Sequence, residues 1–92
     1  MKLKELERLL KTLGNARRLA ILAFLKKRSD ANVGAISEEI NLSFRATSKH
    51  LVILANIGLV DREQRSLEMF YSLSRDLPPQ AKSVISTLAQ AK

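Results

Sequence analysis

The sequence predicts a mainly α-helical fold with one small β-hairpin, in the order α-α-α-α-β-β-α, and three observations carry that prediction. Apolar residues recur at helical spacing in four successive segments before Gly58 and again after Pro79, but alternate with polar ones in between. Residues that start and stop helices stand at the joints of those segments. The chain is 46% hydrophobic but only 4% aromatic, so its core must be built of Leu, Ile, Val and Ala, which suits a small helical domain.

The first helix runs from Leu3 to about Leu13. Leu3, Leu6, Leu10 and Leu13 form its stripe, Leu9 widens it, and Glu7 and Lys11 make an i, i+4 pair in the favourable order. Gly14-Asn15 breaks it, and Asn15 can cap the second helix, about Ala16 to Lys27. Leu19, Ile21, Leu22, Ala23, Phe24 and Leu25 make that helix apolar over most of its girth, which predicts the most buried position. Lys26, Lys27 and Arg28 complement the dipole at its end.

Ser29 to Asn32 reads as a polar loop, with Asn32 capping a short helix from Val33 to Ile40. Val33, Ile36, Ser37 and Ile40 share one face of it, and Ser37 is small enough for the close crossing of a helix-turn-helix. Asn41 suits a left-handed stop, and Ser43 caps the next helix, 43–57. Gly58 stands at the C′ position of that helix, with Leu59 placed to touch Leu54. Two extended stretches follow, Leu59 to about Arg65 and Leu67 to about Ser74, without a turn glycine to fix their register. Pro78-Pro79 opens a last helix, about Gln80 to Ala91, that aligns Ala81, Val84, Ile85 and Leu88.

Ninety-two residues suit a single domain, 1–92, with one modest core. Sixteen Lys and Arg against nine acids give a formal charge of +7, which points to a polyanion: nucleic acid first, an acidic membrane surface second. Without cysteine there is no disulfide, thiolate metal site or thiol switch. The charged opening Met1-Lys2-Leu3-Lys4-Glu5 and the absence of a long apolar run make a cytoplasmic protein the expectation. His50 is the sole histidine, so no metal or other cofactor is expected, and packing or a phosphate contact is its reading. No glycine-rich phosphate loop, paired-carboxylate motif or nucleophile with a base is evident, which argues against an enzyme.

A short helix, a tight turn, a second helix and a hairpin are the parts of a winged helix-turn-helix. In the second of those helices Thr47, Leu51 and Leu54 continue the packing side, while Arg45, Ser48 and Lys49 fall on the opposite arc near its start. Arg45 can bond bidentately to guanine, Lys49 to guanine or phosphate, and Ser43 and Ser48 to phosphate or base edges. In the hairpin Arg65, and after it Arg62, would flank the duplex, diluted by Asp61, Glu63 and Glu68. The alternative is a protein-docking module in which Phe44, Val52 and the hairpin form an apolar surface and the charge is incidental. RNA is less favoured for want of an aromatic platform.

Three motifs, in order, resemble the ArsR family of winged helix-turn-helix repressors. Leu13-Gly14-Asn15-Ala16-Arg17-Arg18-Leu19-Ala20-Ile21-Leu22 is similar to the opening of its second helix. Leu42-Ser43 through Ser48-Lys49-His50-Leu51, with Ile53-Leu54 and Gly58-Leu59-Val60, resembles its recognition helix, and Phe70-Tyr71-Ser72-Leu73 its second wing strand. The resemblance implies a homodimer built from the first and last helices, reading an operator in double-stranded DNA and usually repressing. By matching positions Phe44, Arg45, Ser48 and Lys49 would face DNA, with Arg18 near a phosphate. Leu3, Leu6 and Leu10, with Val84, Ile85 and Leu88, supply more apolar stripe than one small core needs, which fits such a dimer.

The chain also departs from the family pattern. The cysteine metal motif is replaced by Ala35-Ile36-Ser37-Glu38-Glu39, and the last helix lacks the Asp/His/Glu pattern, so metal sensing is not expected and no effector is legible. The family often has Gln where this chain has Phe44. Either that ring makes an apolar contact, such as to a thymine methyl, or it packs inward.

Overall fold

Helix ends, more than helix stripes, explain how this chain turns. In the computed structural model, which describes residues 1–91, the helices are α1 (Leu3–Leu13), α2 (Ala16–Lys27), α3 (Val33–Glu39), α4 (Phe44–Asn56) and α5 (Pro79–Leu88). The strands are β1 (Ala31–Asn32), β2 (Val60–Arg65) and β3 (Glu68–Leu73). Asn15 accepts from the Arg18 amide at 3.1 Å, Asn32 from that of Ala35 at 2.8 Å and Ser43 from that of Ala46 at 3.1 Å. Each cap satisfies an N–H that the helix leaves free, an effect of about 1 kcal/mol.

Two helices end in the same hydrogen-bond pattern. After α3, Asn41 takes φ 53°, its N–H reaches Glu38 O at 3.2 Å, and the Leu42 N–H reaches Ser37 O at 3.0 Å. After α4, Gly58 takes φ 81°, with its N–H on Ala55 O and the Leu59 N–H on Leu54 O, both at 3.0 Å. These are Schellman endings: one left-handed residue satisfies two terminal carbonyls and reverses the chain. A Cβ on Gly58 would meet nothing within 4 Å, so only its backbone angle calls for glycine.

The hairpin pairs Val60 with Leu73 through Arg65 with Glu68, leaving a two-residue turn of Ser66 and Leu67. Ser66 adopts φ 56° at the first central position, a conformation that glycine usually supplies in such tight hairpins. The polar loop expected over Ser29–Asn32 is corrected: Ala31 pairs with Tyr71 and Asn32 with Phe70, so the antiparallel sheet has three strands in the order β1-β3-β2. The observed order is therefore α-α-β-α-α-β-β-α. Two residues are too few to show an alternating pattern, and Asn32 serves twice, capping α3 and donating from Nδ2 to the Glu68 carboxylate.

As its girth predicts, α2 is the hub, packing against α1, α3, α4, α5 and β3. Ile21 and Leu22 are wholly buried with Ile36, Leu51, Leu54 and Leu59. Ile85 joins them at 2% exposure, which corrects its placement on an outward face. On α5 the core takes Ala81 and Ile85, leaving Val84 and Leu88 half-buried. The helix stops at Leu88, short of Ala91, because Ala89 and Gln90 have little apolar surface to bury.

Backbone strain sets the first expected outcome. Gly58→Ala should lower stability by about 1–2 kcal/mol, the cost of the left-handed region for a residue with a Cβ. Ser66→Gly should raise it by up to about 1 kcal/mol, since it relieves a similar cost against some added chain entropy. Thermal melting should resolve both, at about 4–8 °C per kcal/mol for a domain of this size.

Candidate nucleic-acid interface

The amphipathic pattern of α4 fixes which side chains leave the core. Thr47, Leu51 and Leu54 are wholly buried, although the Thr47 hydroxyl has no hydrogen-bond partner among the described residues. Such a group costs about 1–3 kcal/mol, so Thr47 is a weak point of the α4 packing. The outward arc carries two rows. Phe44, Ser48 and Val52 follow at i, i+4 and i+8, and Arg45 and Lys49 run beside them. Phe44 is 61% exposed, so the ring does not pack inward, and Val52 is 40% exposed. Arg45 and Lys49 are exposed and form no ion pair among the described residues.

The first row lines an open groove whose other wall is the hairpin, with Arg62, Leu67 and Met69, and whose end is the start of α3. Register puts Arg62 on the same sheet face as Tyr71 and Met69, and Arg65 on the other, with Glu63 and Phe70. Arg65 is engaged there: it meets Asp30 and Glu63 at 2.6 Å each and lies 4.4 Å from the Phe70 ring centroid. Hydrogen bonds from Arg65 to Asp30 and Glu63 hold its guanidinium charged. Arg62, the second choice on charge pattern alone, is the exposed wing cation on the groove side, with no ion pair among the described residues.

Arg18, expected near a phosphate, and His50, expected to pack or to contact a phosphate, are placed against each other. Arg18 Nε donates to His50 Nδ1 at 3.3 Å and its Nη1 donates to Thr12 O at 3.1 Å, joining α2, α4 and the end of α1. His50 lies off the outward rows of α4 and is half-buried. Burial, then the charges of Arg18 and Arg17, push its pKa below 6.5, so the neutral ring accepts through Nδ1. Arg17, which sequence reasoning passed over, donates from Nη1 to Ile40 O at 2.8 Å and Asn41 O at 3.4 Å. It grips the turn between α3 and α4, and nothing in the local pattern distinguishes it from a solvated arginine. Ser43 is exposed and serves as the α4 cap.

The residues expected at a dimer face divide. Leu3 and Leu10 are 83% and 54% exposed, and with Leu6 they line a shallow groove along α1 flanked by Lys4, Glu7 and Lys11. No helix among the described residues is long and apolar enough to cross a membrane.

With that geometry in place, known proteins supply a frame. The model of the arsR family of bacterial regulatory proteins matches residues 15–62. The transcriptional activator HlyU of Vibrio cholerae is 38% identical over 81 residues, covering 80% of this chain and 74% of the relative. Its solved structure superimposes with a TM-score of 0.81 at 34% identity, over 98% of this chain and 96% of that one. The transcriptional repressor PagR of Bacillus anthracis gives 0.76 at 29% identity, covering 94% of both chains. The homodimeric winged helix-turn-helix DNA-binding domain Mb0332 of Mycobacterium bovis also gives 0.76, at 26% identity over 96% of this chain and 75% of that one.

The Arg18–His50 joint makes stability depend on pH with a defined sign. The folded pKa of His50 lies below the unfolded value of 6.5, so the unfolded chain takes up the proton first. Its contribution is complete above pH 6.5 and is lost as pH falls through the folded value. In urea unfolding at stepped pH, the wild type should lose more stability between about pH 7.5 and 5 than His50→Gln, which keeps an acceptor but does not titrate.

Proposed function

This chain belongs to the arsR family of bacterial regulatory proteins, and from that premise we propose that it is a homodimeric, sequence-specific DNA-binding regulator that represses transcription. The observation that carries this reading is the cationic row on α4: Arg45 and Lys49 point outward, with no ion pair among the described residues, from a helix whose entry angle is locked. In the major groove Arg45 bonds to guanine O6 and N7, Lys49 reaches guanine or phosphate, and Ser43 and Ser48 add hydrogen bonds. Arg62 and Arg65 follow the flanking backbone from the wing, Arg65 by exchanging Asp30 or Glu63 for a phosphate. Arg18 and His50 act behind the reading helix by holding it to α2.

Leu3, Leu6 and Leu10 of α1, with Val84 and Leu88 of α5, form the dimer face. Support comes from the open apolar edge of α1 and from Mb0332, whose domain is homodimeric. Two reading helices on one two-fold axis require a palindromic operator. Repression then follows from occupying promoter DNA. HlyU carries the name of an activator and PagR that of a repressor, so the sign depends on where the operator lies in the promoter.

Exposed Phe44 and Leu67 favour a second reading, a protein-docking surface across the groove. Anisotropy with fluorescent genomic duplexes across a salt series separates the two: tight, salt-dependent binding to one duplex with two chains per site supports the regulator, and no binding at low salt supports docking. Reporter output from that promoter should fall when the chain is supplied.

On the bound duplex, Arg45→Ala should cost about 1–3 kcal/mol and relax discrimination at one base pair per half-site. Lys49→Ala should weaken all sequences alike and reduce the salt slope by about 1 per half-site if it meets phosphate. Leu3→Glu with Leu10→Glu should give a monomer by sedimentation at micromolar concentration while helix content stays unchanged.

A further inference from the structure

We infer that Phe44 and Val52 make α4 a thymine reader: their side chains cover thymine C5-methyl groups, so each operator half-site carries thymines opposite them. The inference rests on the DNA-binding reading above and deepens it. It begins from exposure: Phe44 and Val52 are 61% and 40% exposed, on a helix whose inner face is completely buried. They share one row with the small Ser48, and the cations Arg45 and Lys49 lie directly beside them. The row sits where base edges would be, with Arg45 and Lys49 along one side and Arg62 of the wing across the groove.

The chemistry of base edges then selects the ligand. In the major groove guanine, adenine and cytosine present hydrogen-bond donors and acceptors, whereas thymine adds a methyl group. A phenyl ring or an isopropyl group returns no hydrogen bond, so over a polar edge it removes water without replacing it. Over a methyl group it buries apolar surface at no such cost. Phe44 is the first residue of α4, the end that enters a groove most deeply, and Val52 lies two turns on, about 12 Å along the axis. Ser48 lies between them, small enough not to prop either side chain off the bases. Neighbouring Arg45 supplies guanine preference, so the row pair reads a mixed half-site of thymine and guanine.

Duplexes selected by the purified protein from a pool randomised over about 30 base pairs, room for two half-sites spaced by whole helical turns, provide the probe. Replacing each thymine in turn by deoxyuridine removes only the methyl group and leaves every hydrogen-bonding atom. Burial of one methyl predicts about fourfold weaker binding per critical position, and about sixteenfold when both half-sites are changed. Phe44→Ala should abolish the penalty at one position and Val52→Ala at another; both residues are exposed, so the variants should fold. Selected duplexes that lose no affinity on any deoxyuridine replacement, or lose it equally in Phe44→Ala and Val52→Ala, overturn the inference while leaving DNA binding intact. Failure to select any duplex overturns the DNA-binding reading and this inference together.

Discussion

The turn between α3 and α4 is the constraint on which the outward face of α4 depends. Asn41 accepts a left-handed backbone there, two backbone hydrogen bonds close the end of α3, and Ser43 at once caps α4. Arg17 of α2 then grips the carbonyls of Ile40 and Asn41. With its start fixed from three sides, α4 has little freedom to rotate. Which residues face outward is thereby settled: Phe44, Ser48 and Val52 in one row, Arg45 and Lys49 beside it.

The same economy appears at the other side of α4. Arg18 holds His50 from the neighbouring position on α2, so consecutive arginines brace α4 itself and the turn that leads into it. Their charges act on the histidine as well as their hydrogen bonds, and a proton on His50 would be repelled by both. Charges that composition alone assigns to DNA thus divide into structural and free ones. Arg17, Arg18 and Arg65 are engaged within the chain, while Arg45, Lys49 and Arg62 form no ion pair among the described residues. Of the sixteen Lys and Arg, Arg17, Arg18 and Arg65 are held within the chain, so the count of cations overstates those ready for a phosphate.

The wing shows how a short sheet avoids a flexible arm. Its tip turns through Ser66 without glycine, and β1 adds a third strand that ties the middle of β3 to the start of α3. Arg65 spans from β2 to Asp30 and stacks on Phe70, so the far face of the hairpin is braced by charge and by a ring. Exposed pairs of this kind contribute little stability each. Their effect here is to fix where the arginine sits, leaving the groove face to Arg62 and the apolar side chains.

Local rules were enough for much of this protein. The caps at Asn15, Asn32 and Ser43, the stops at Asn41 and Gly58, the central place of α2 and the outward Arg45 and Lys49 all follow from residues within about one turn of each other. Only the tertiary structure decided that Ile85 belongs to the core, that Ala31 and Asn32 form a strand, and that Phe44 stays in solvent. It also decided the partners of Arg17, Arg18 and Arg65, which lie 23, 32 and 35 residues away. The physical reason is the range of the signal. A cap or a stripe is written in neighbouring side chains, whereas an arginine reads the same in sequence whether water, a carbonyl or a phosphate completes its hydrogen bonds.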